Sequence, residues 1–291
     1  MHWTLGLFAV LTLTSVAQES EPIATPFPPS TGLAQGLSPD GLARLGQLVQ
    51  GFVDDGEIVG AELMVIKNGH SVLHEAYGWS DREAELPMQT GSVFCVRSMT
   101  KPLVAASILM LVDDHVLDLD DRVAEYLTSF DVEPSRDITI EQLLQHTSGL
   151  PMSLLLGKDL GELDGIQAVA DLGAGRAPDF EPGSAFQYSD QGADTLTALL
   201  EVASGMPAAE FVQTRILDPM GMRSSAPVMT EGHPLRTRAV ADYTGAPGSW
   251  IRFWGPESPP LLPFFLGSQG LYSSLEDYAR FLDFWQQKGR V

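Results

Sequence analysis

Apolar residues recur at helical spacing early in the chain and then switch to a spacing of two. Residues 39–55 carry leucine, valine and phenylalanine on one face, which predicts an amphipathic helix. Further on, the alternating segments 62–67 and 71–77 flank Asn68-Gly69, a pair typical of a type I′ hairpin turn. Two strands alone do not form a stable sheet, so this hairpin needs further strands or a helical cover.

The stretch 99–116 is apolar on nearly every side, which is typical of a helix buried on all faces. Two Gly-Pro-rich connections, 173–183 and 255–263, are predicted to be surface loops. Strands and helices are mixed rather than alternating, so the pattern favours an α+β fold over a parallel βαβ sheet. Shorter helices are predicted at 140–145, 192–203, 208–217 and 274–287.

The N-terminal residues 1–17 have the pattern of a secretory signal peptide. Their apolar run is too short to span a bilayer, and it ends in small residues that suit signal peptidase. We therefore expect an exported protein with no stable membrane insertion after cleavage; the alternatives are an uncleaved anchor or a plain apolar N-terminus. Residues 18–37 are rich in Pro, Ser, Thr and Gly and predict a linker, which leaves 38–291 as the folded domain.

Charge and cysteine content exclude several kinds of function. The chain has 17 basic and 38 acidic residues, a formal charge of −21, which disfavours binding to nucleic acid or to anionic lipid. A lone cysteine, Cys95, excludes an intrachain disulfide and a cysteine-based zinc site. The six histidines show no metal-binding spacing, so no metal site is predicted. No organic cofactor is expected either.

Ser98 and Lys101 are the candidate catalytic pair. The chain lacks a GxSxG elbow, a Walker A loop and a Rossmann fingerprint. A serine and a lysine three residues apart at the start of a helix share one face, so the lysine can reach the hydroxyl. A serine nucleophile needs an adjacent base, and a buried lysine can act as one. Taken alone, the pair is equally compatible with a helix-capping serine and an exposed lysine.

The surrounding segments resemble the serine β-lactamase-like family, which includes class C β-lactamases, DD-peptidases and esterases built on the same scaffold. The resemblance covers residues 38–291 in the right order. It implies a β-lactamase/transpeptidase-like fold, in which a helical region is joined to an α/β sandwich. The segments that carry it are 93–102 with Ser98 and Lys101, 140–151 with His-Thr-Ser-Gly, Tyr-Ser-Asp at 188–190, 216–222, and 267–274.

By this resemblance Ser98 is the acylated nucleophile and Lys101 its proton acceptor. Tyr188 is the second acid/base, which relays a proton to the leaving group or to the hydrolytic water. A phenol can do this only when a neighbouring ammonium stabilises its ionised form, and Lys101 is the candidate. The alternative for Tyr188 is a core tyrosine whose hydroxyl is hydrogen-bonded.

Other candidate site residues carry weaker signals. Ser268 and Gln269, in a glycine-rich stretch, are predicted to line the substrate cleft; the alternative is a turn. The aromatic stretch 250–265, which includes Trp254, is predicted to wall an acyl-binding pocket, the alternatives being ordinary core or bare surface. His146, in its Thr-Ser-Gly loop, is predicted to be structural rather than a base.

Asp190 departs from the family pattern, which has asparagine at this position. A carboxylate here would favour the charged form of Lys101, and it removes an amide donor that lactamases use on the substrate. That points away from an efficient β-lactamase and towards an esterase or an impaired enzyme. Equally, Asp190 can turn outward to cap the helix that starts near Gly192.

The second departure is a missing motif. After Tyr188 the chain contains no Lys-Thr-Gly, and His233 stands there in a loop-like His-Pro. We therefore expect the C-terminal strands of the main sheet to be missing, with an edge left unpaired. The predicted function is a serine hydrolase, most simply a carboxylesterase. The alternatives are a β-lactamase or DD-peptidase acting on β-lactams or peptidoglycan peptides, and a truncated remnant without catalysis.

Overall fold

The computed structural model describes residues 26–287 and residue 289, and it combines a helical region with three small antiparallel sheets. The predicted signal peptide lies outside the described residues. The helices are α1 (Pro39–Asp54), α2 (Lys101–Asp113), α3 (Ile140–Leu144), α4 (Gly165–Ala174), α5 (Asp190–Ser204), α6 (Ala208–Val212) and α7 (Leu275–Gln286). The strands are β1 (Gly60–Lys67), β2 (His70–Asp81), β3 (Leu86–Pro87), β4 (Val93–Cys95), β5 (Ser225–Ala226), β6 (Asp242–Thr244), β7 (Ile251–Trp254) and β8 (Tyr272–Ser274).

The predicted hairpin forms the first sheet. Strands β1 and β2 pair antiparallel across Asn68 and Gly69, whose φ values of 52° and 72° are both in the left-handed region that a type I′ turn requires. Helix α1 covers this sheet, and its Gly46 allows a close approach, because a Cβ there would lie 2.7 Å from the Tyr77 hydroxyl. Strand β3 follows β2 in the sheet, and among the described residues β1 pairs with β2 alone.

The second sheet positions the candidate nucleophile. Its order is β4-β8-β5, and Cys95 pairs with Tyr272 three residues before Ser98. This pairing brings the glycine-rich stretch before β8 next to the start of α2. The third sheet pairs β6 with β7.

Helix α5 is the centre of the helical region. It packs against α2, α3, α4 and α6, and residues 191–200 are all buried. The sequence pattern missed α4 and predicted a loop from residue 173. Gly173 belongs to α4, where a Cβ would lie 2.7 Å from the Gln191 amide, so close packing on α5 explains a glycine inside this helix. The core includes the fully buried side chains of Leu103, Ile108, Leu143, Leu199, Leu200 and Phe211.

Three further predictions differ in detail from the structure. The predicted helix 99–116 is a 3₁₀ turn at Arg97–Thr100 followed by α2. The predicted helix 208–217 is α6 followed by a π-helical turn, Gln213–Leu217. The described part of the predicted linker, from residue 26, lies against β2: the Ser30 N–H donates to the Ser71 carbonyl at 2.9 Å, and Phe27 is buried. No helix in the described part of the chain is long and apolar enough to cross a membrane.

Candidate active site

Ser98 lies on the 3₁₀ turn between β4 and α2, and this turn is tied to the neighbouring strand. The Val96 N–H donates to the Leu271 carbonyl at 2.9 Å. The buried Thr100 hydroxyl donates to the Arg97 carbonyl at 2.7 Å and accepts from the Leu271 N–H at 3.0 Å. Arg97 adopts a φ of 51°, a conformation that non-glycine residues rarely hold unless their surroundings impose it. The backbone at the nucleophile is therefore held by tertiary contacts.

Lys101 connects the groups of the site through three hydrogen bonds. Its Nζ donates to Ser98 Oγ at 3.1 Å, to Asp190 Oδ1 at 2.6 Å and to the Ser268 carbonyl at 2.9 Å. Its side chain is only 10 % exposed. An ammonium has three hydrogens to donate, and these three acceptors use them all. The three contacts match the donor capacity of a lysine ammonium, and one of them is made to the candidate nucleophile.

The structure distinguishes between the two alternatives for Asp190. The cap of α5 is Ser189, whose Oγ accepts from the Gly192 N–H at 2.8 Å and donates to the Pro151 carbonyl at 2.8 Å. Asp190 is the first residue of the helix, and its carboxylate faces Lys101. The alternative in which Asp190 turns outward to cap the helix is wrong, because Ser189 already satisfies that N–H.

Tyr188 and His146 pack beside the lysine. Their ring centroids are 4.6 Å apart, and Lys101 Nζ lies 4.7 Å from the centroid of the Tyr188 ring. His146 Nδ1 accepts from the Ser189 N–H at 3.2 Å, which assigns the proton of the neutral ring to Nε2. Burial, followed by the charge of Lys101, lowers the pKa of His146, while Asp190 opposes this effect. His146 is therefore neutral at pH 7 and has no free lone pair for use as a base.

A pocket of about 310 Å³ opens beside Ser98 and Lys101, between α2, α3 and α5. Its polar lining consists of Ser98, Lys101, His146 and Tyr188. The rest of the wall is apolar, which is the usual character of a small-molecule site. Sequence analysis missed this wall, since its residues belong to helices that are apolar on several sides. The apolar lining consists of Pro102, Val104, Ala105, Leu143, Leu144, Ala193 and Leu196.

The structure brings some of the other predicted site residues to the site and leaves others away from it. Ser268 reaches Lys101 through its carbonyl, while Gln269 is half-buried and its carbonyl faces the Cys95 thiol at 3.6 Å. Trp254 is not brought to the cleft, which corrects its assignment to substrate binding. It is only 4 % exposed, it packs on Tyr272, and its Nε1 donates to the Pro259 carbonyl at 2.8 Å. The strand alternation of β7 buries Trp254 and leaves Phe253 half-exposed.

Asp194 is a neighbour of the site that sequence analysis missed. It lies one turn after Asp190 on α5, it is almost completely buried, and its Oδ1 accepts from the Ser268 N–H at 2.9 Å. Burial raises the pKa of Asp194 to about 7, although the Ser268 hydrogen bonds and the charge of Lys101 oppose the shift. Its position four residues after Asp190 on the same helix was the sequence signal that could have identified it.

Comparisons with known proteins show which proteins this chain is similar to. The family model described as beta-lactamase matches residues 45–291. Esterase EstB of Burkholderia gladioli is 34% identical over 276 residues, which cover 83% of this chain and 69% of that protein. Penicillin-binding protein 4* of Bacillus subtilis is 31% identical over 168 residues, 56% of this chain. The chain spans 37% of that second relative's length, so the match there is to part of a longer protein.

Solved structures share the fold. The structure of EstCE1, described as a hydrolase with promiscuous acyltransferase activity, superposes with a TM-score of 0.72 at 24% identity. The match covers 89% of this chain and 74% of that one. At this level of identity the likeness speaks for the architecture alone.

Proposed function

Because the chain belongs to the beta-lactamase family of serine hydrolases, we propose that it is a carboxylesterase that acts on small apolar esters through an acyl-enzyme at Ser98. The observation that carries this proposal is the buried Lys101, whose Nζ lies 3.1 Å from Ser98 Oγ and 2.6 Å from Asp190 Oδ1. The same pair opens onto the apolar pocket between α2, α3 and α5.

Acylation begins with a proton shift, because a lysine with three hydrogen-bonded protons has no lone pair. Asp190, at 2.6 Å, is the group placed to take one proton from Lys101. The neutral amine then accepts the Ser98 proton while Oγ attacks the ester carbonyl carbon. When the tetrahedral intermediate collapses, the bond to the alcohol oxygen breaks, and that oxygen takes a proton from Lys101, directly or through Tyr188. Water then repeats the sequence on the acyl-enzyme and releases the acid.

Charge in the cleft favours a neutral substrate. β-Lactams and peptidoglycan peptides carry a carboxylate, and the Lys101–Asp190 pair, which has no net charge, does not attract it. The cations nearest the nucleophile are already paired, Lys101 with Asp190 and Arg97 with Asp242 at 3.1 Å. An ester without charge needs neither such an attraction nor the amide donor that an asparagine at position 190 would supply.

Apolar side chains around the cleft favour an apolar ester. Met99, next to the nucleophile, Met152, whose carbonyl accepts from the Asp190 N–H, and Phe186, which packs edge-on to His146, are all about half-exposed or more. Together with the pocket wall they offer apolar contacts around the site. The resemblance to an esterase supports the same substrate class.

The test compares p-nitrophenyl butyrate with a chromogenic cephalosporin. Ser98→Ala and Lys101→Met should each lower kcat/KM for the ester by about 10³-fold or more. Lys67→Met, which changes an exposed lysine of the hairpin, should match the wild type. Faster turnover of the cephalosporin than of the ester would support the β-lactamase or DD-peptidase alternative. Full activity in Lys101→Met would show that the base is another group.

Asp190→Asn tests the charge argument directly. This variant installs the amide donor and removes the charge that neutralises Lys101, so the cleft becomes more favourable to an anionic substrate. We expect the ratio of kcat/KM for the cephalosporin to that for the ester to rise about tenfold, the equivalent of about 1.4 kcal/mol in differential binding. An unchanged ratio would mean that Asp190 does not set the substrate preference.

We also propose that the protein is exported, on the strength of the signal-like pattern at 1–17. N-terminal sequencing of the protein from the extracellular or periplasmic fraction should begin at Gln18. An intact Met1 in the cytosolic fraction would contradict export.

A further inference from the structure

We infer that Asp194 is a positioning residue for Lys101, because it holds the Ser268 backbone so that the Ser268 carbonyl faces the ammonium. The inference rests on the proposed function, since it concerns the same catalytic lysine. The Ser268 N–H donates to Asp194 Oδ1 at 2.9 Å, and the carbonyl of the same residue accepts from Lys101 Nζ at 2.9 Å. One residue therefore links the buried carboxyl to the lysine.

The segment before Ser268 is pressed directly onto α5. A Cβ at Gly267 would lie 3.0 Å from the Ala193 carbonyl and would overlap the Thr197 hydroxyl. Only a glycine fits this approach, and Asp194 projects from the same part of the helix. A glycine contact on one side and a carboxyl on the other leave the Ser268 backbone little freedom to turn.

A purely structural acceptor would not need to be ionisable. An asparagine at 194 would accept the same N–H without the cost of burying an acid. The described residues provide no lysine or arginine within hydrogen-bond distance of Asp194. The charged groups that act on it are Lys101 from α2 and Asp190 from its own helix, and the Ser268 dipole faces it from the other side. Two carboxyls one helical turn apart thus act on one ammonium, Asp190 directly and Asp194 through Ser268.

Because burial raises the pKa of Asp194 to about 7, this carboxyl changes its charge near neutral pH. In its ionised form it stabilises the ammonium of Lys101 and so makes the lysine slower to give up the proton that blocks its lone pair. Asp194→Asn removes the charge and keeps the hydrogen-bond acceptor. This variant should therefore raise kcat/KM most at higher pH.

The experiment measures kcat/KM for p-nitrophenyl butyrate from pH 5.5 to 8.5 in the wild type and in Asp194→Asn. The matched control is Asp277→Asn, a buried carboxyl that accepts the Ser224 N–H and the Ser225 hydroxyl and, within the described part of the chain, hydrogen-bonds to neither Ser98 nor Lys101. We expect the kcat/KM of Asp194→Asn, divided by that of the wild type, to rise about fivefold as the pH passes through 7. The change should be in kcat rather than in KM. The Asp277→Asn ratio should stay flat. A flat ratio for Asp194→Asn would overturn the inference.

A second variant and a second readout keep the test independent of ester turnover. Asp194→Ala removes the acceptor, so we expect its kcat to fall at least tenfold below that of Asp194→Asn; equal values would overturn the positioning role. The labelling rate of Ser98 by a fluorophosphonate, read as intact mass, reports the same lysine without any ester. Absence of ester hydrolysis alongside normal labelling would refute the proposed function, while the pH dependence of labelling would still decide the role of Asp194.

Discussion

Helix α5 and strand β1 differ strongly in how far their residues are buried. Ten consecutive residues of α5 are buried, from 191 to 200, whereas none of the eight residues of β1 is fully buried. Helices α2, α3, α4 and α6 surround α5, while β1 has one strand partner among the described residues. The core and the candidate chemistry are therefore concentrated in the helical region, and the hairpin is a half-covered layer beside it.

The two regions also treat a buried carboxyl differently. On β1, the Glu62 side chain is almost fully buried, and Oε1 is paired with His74 Nε2 at 2.6 Å and with the Gly91 N–H at 2.8 Å. On α5, Asp194 has a backbone N–H as its hydrogen-bond donor. Glu62 thus has a side-chain partner and a backbone partner, whereas Asp194 has a backbone partner and a pKa that burial raises, a combination found often at functional sites.

The largest expected effect comes from removing a core side chain in each region. Leu199→Ala on α5 should lower the free energy of unfolding by about 2–5 kcal/mol, because Leu199 is completely buried and its removal leaves a cavity. Leu63→Ala on β1 should cost about 1 kcal/mol, because its side chain is only partly removed from water. Urea unfolding followed by tryptophan fluorescence measures both. Equal costs would erase the contrast between the two regions.

The next effect concerns pH. The pKa of Asp194 is raised from its ordinary 3.8 to about 7, so the folded state binds a proton more tightly than the unfolded chain does. The resulting stabilisation is complete below pH 4 and is lost as the pH rises to about 7. At about 1.4 kcal/mol per pKa unit, the loss amounts to as much as about 4 kcal/mol.

Asp194→Asn does not titrate, so its stability relative to the wild type should increase between pH 4 and pH 8. Denaturant unfolding of both proteins at several pH values gives the difference. A difference that does not change with pH would show that Asp194 keeps an ordinary pKa in the folded protein.

The smallest effect compares two helix caps. Ser189 caps α5 in a buried setting, with hydrogen bonds at 2.8 Å to both Gly192 and Pro151, whereas Ser38 caps α1 at the surface at 3.2 Å. Ser189→Ala should cost about 1–2 kcal/mol and Ser38→Ala about 0.5 kcal/mol. Ser189→Ala should also reduce ester turnover, because Ser189 lies between Tyr188 and Asp190, while Ser38→Ala should not. Thermal melts and steady-state kinetics on both variants provide the comparison.

Local sequence patterns were sufficient to predict an element wherever the contacts that determine it join residues close together in the sequence. The Asn68-Gly69 pair predicted the hairpin turn, and the apolar spacing predicted both ends of α1, α3, α5 and α7 to within two residues. The same reasoning missed α4, because Gly173 within that helix is explained by packing on Gln191 rather than by helix propensity. It also joined α6 to the π-helical turn, which local spacing does not distinguish from a longer α-helix.

The sequence by itself determined the α+β class and the pairing of Ser98 with Lys101, since residues three apart at a helix start meet through local geometry. The resemblance to a known family added the place of Tyr188 and the unusual Asp190. Only the tertiary structure decided that Asp190 faces Lys101, 89 residues away, and that the Ser268 carbonyl, 167 residues away, completes the site. It also decided that Trp254 is core and that the buried Asp194 accepts the Ser268 N–H. Such contacts depend on how helices and strands pack, and no local pattern records the direction in which a side chain meets a distant neighbour.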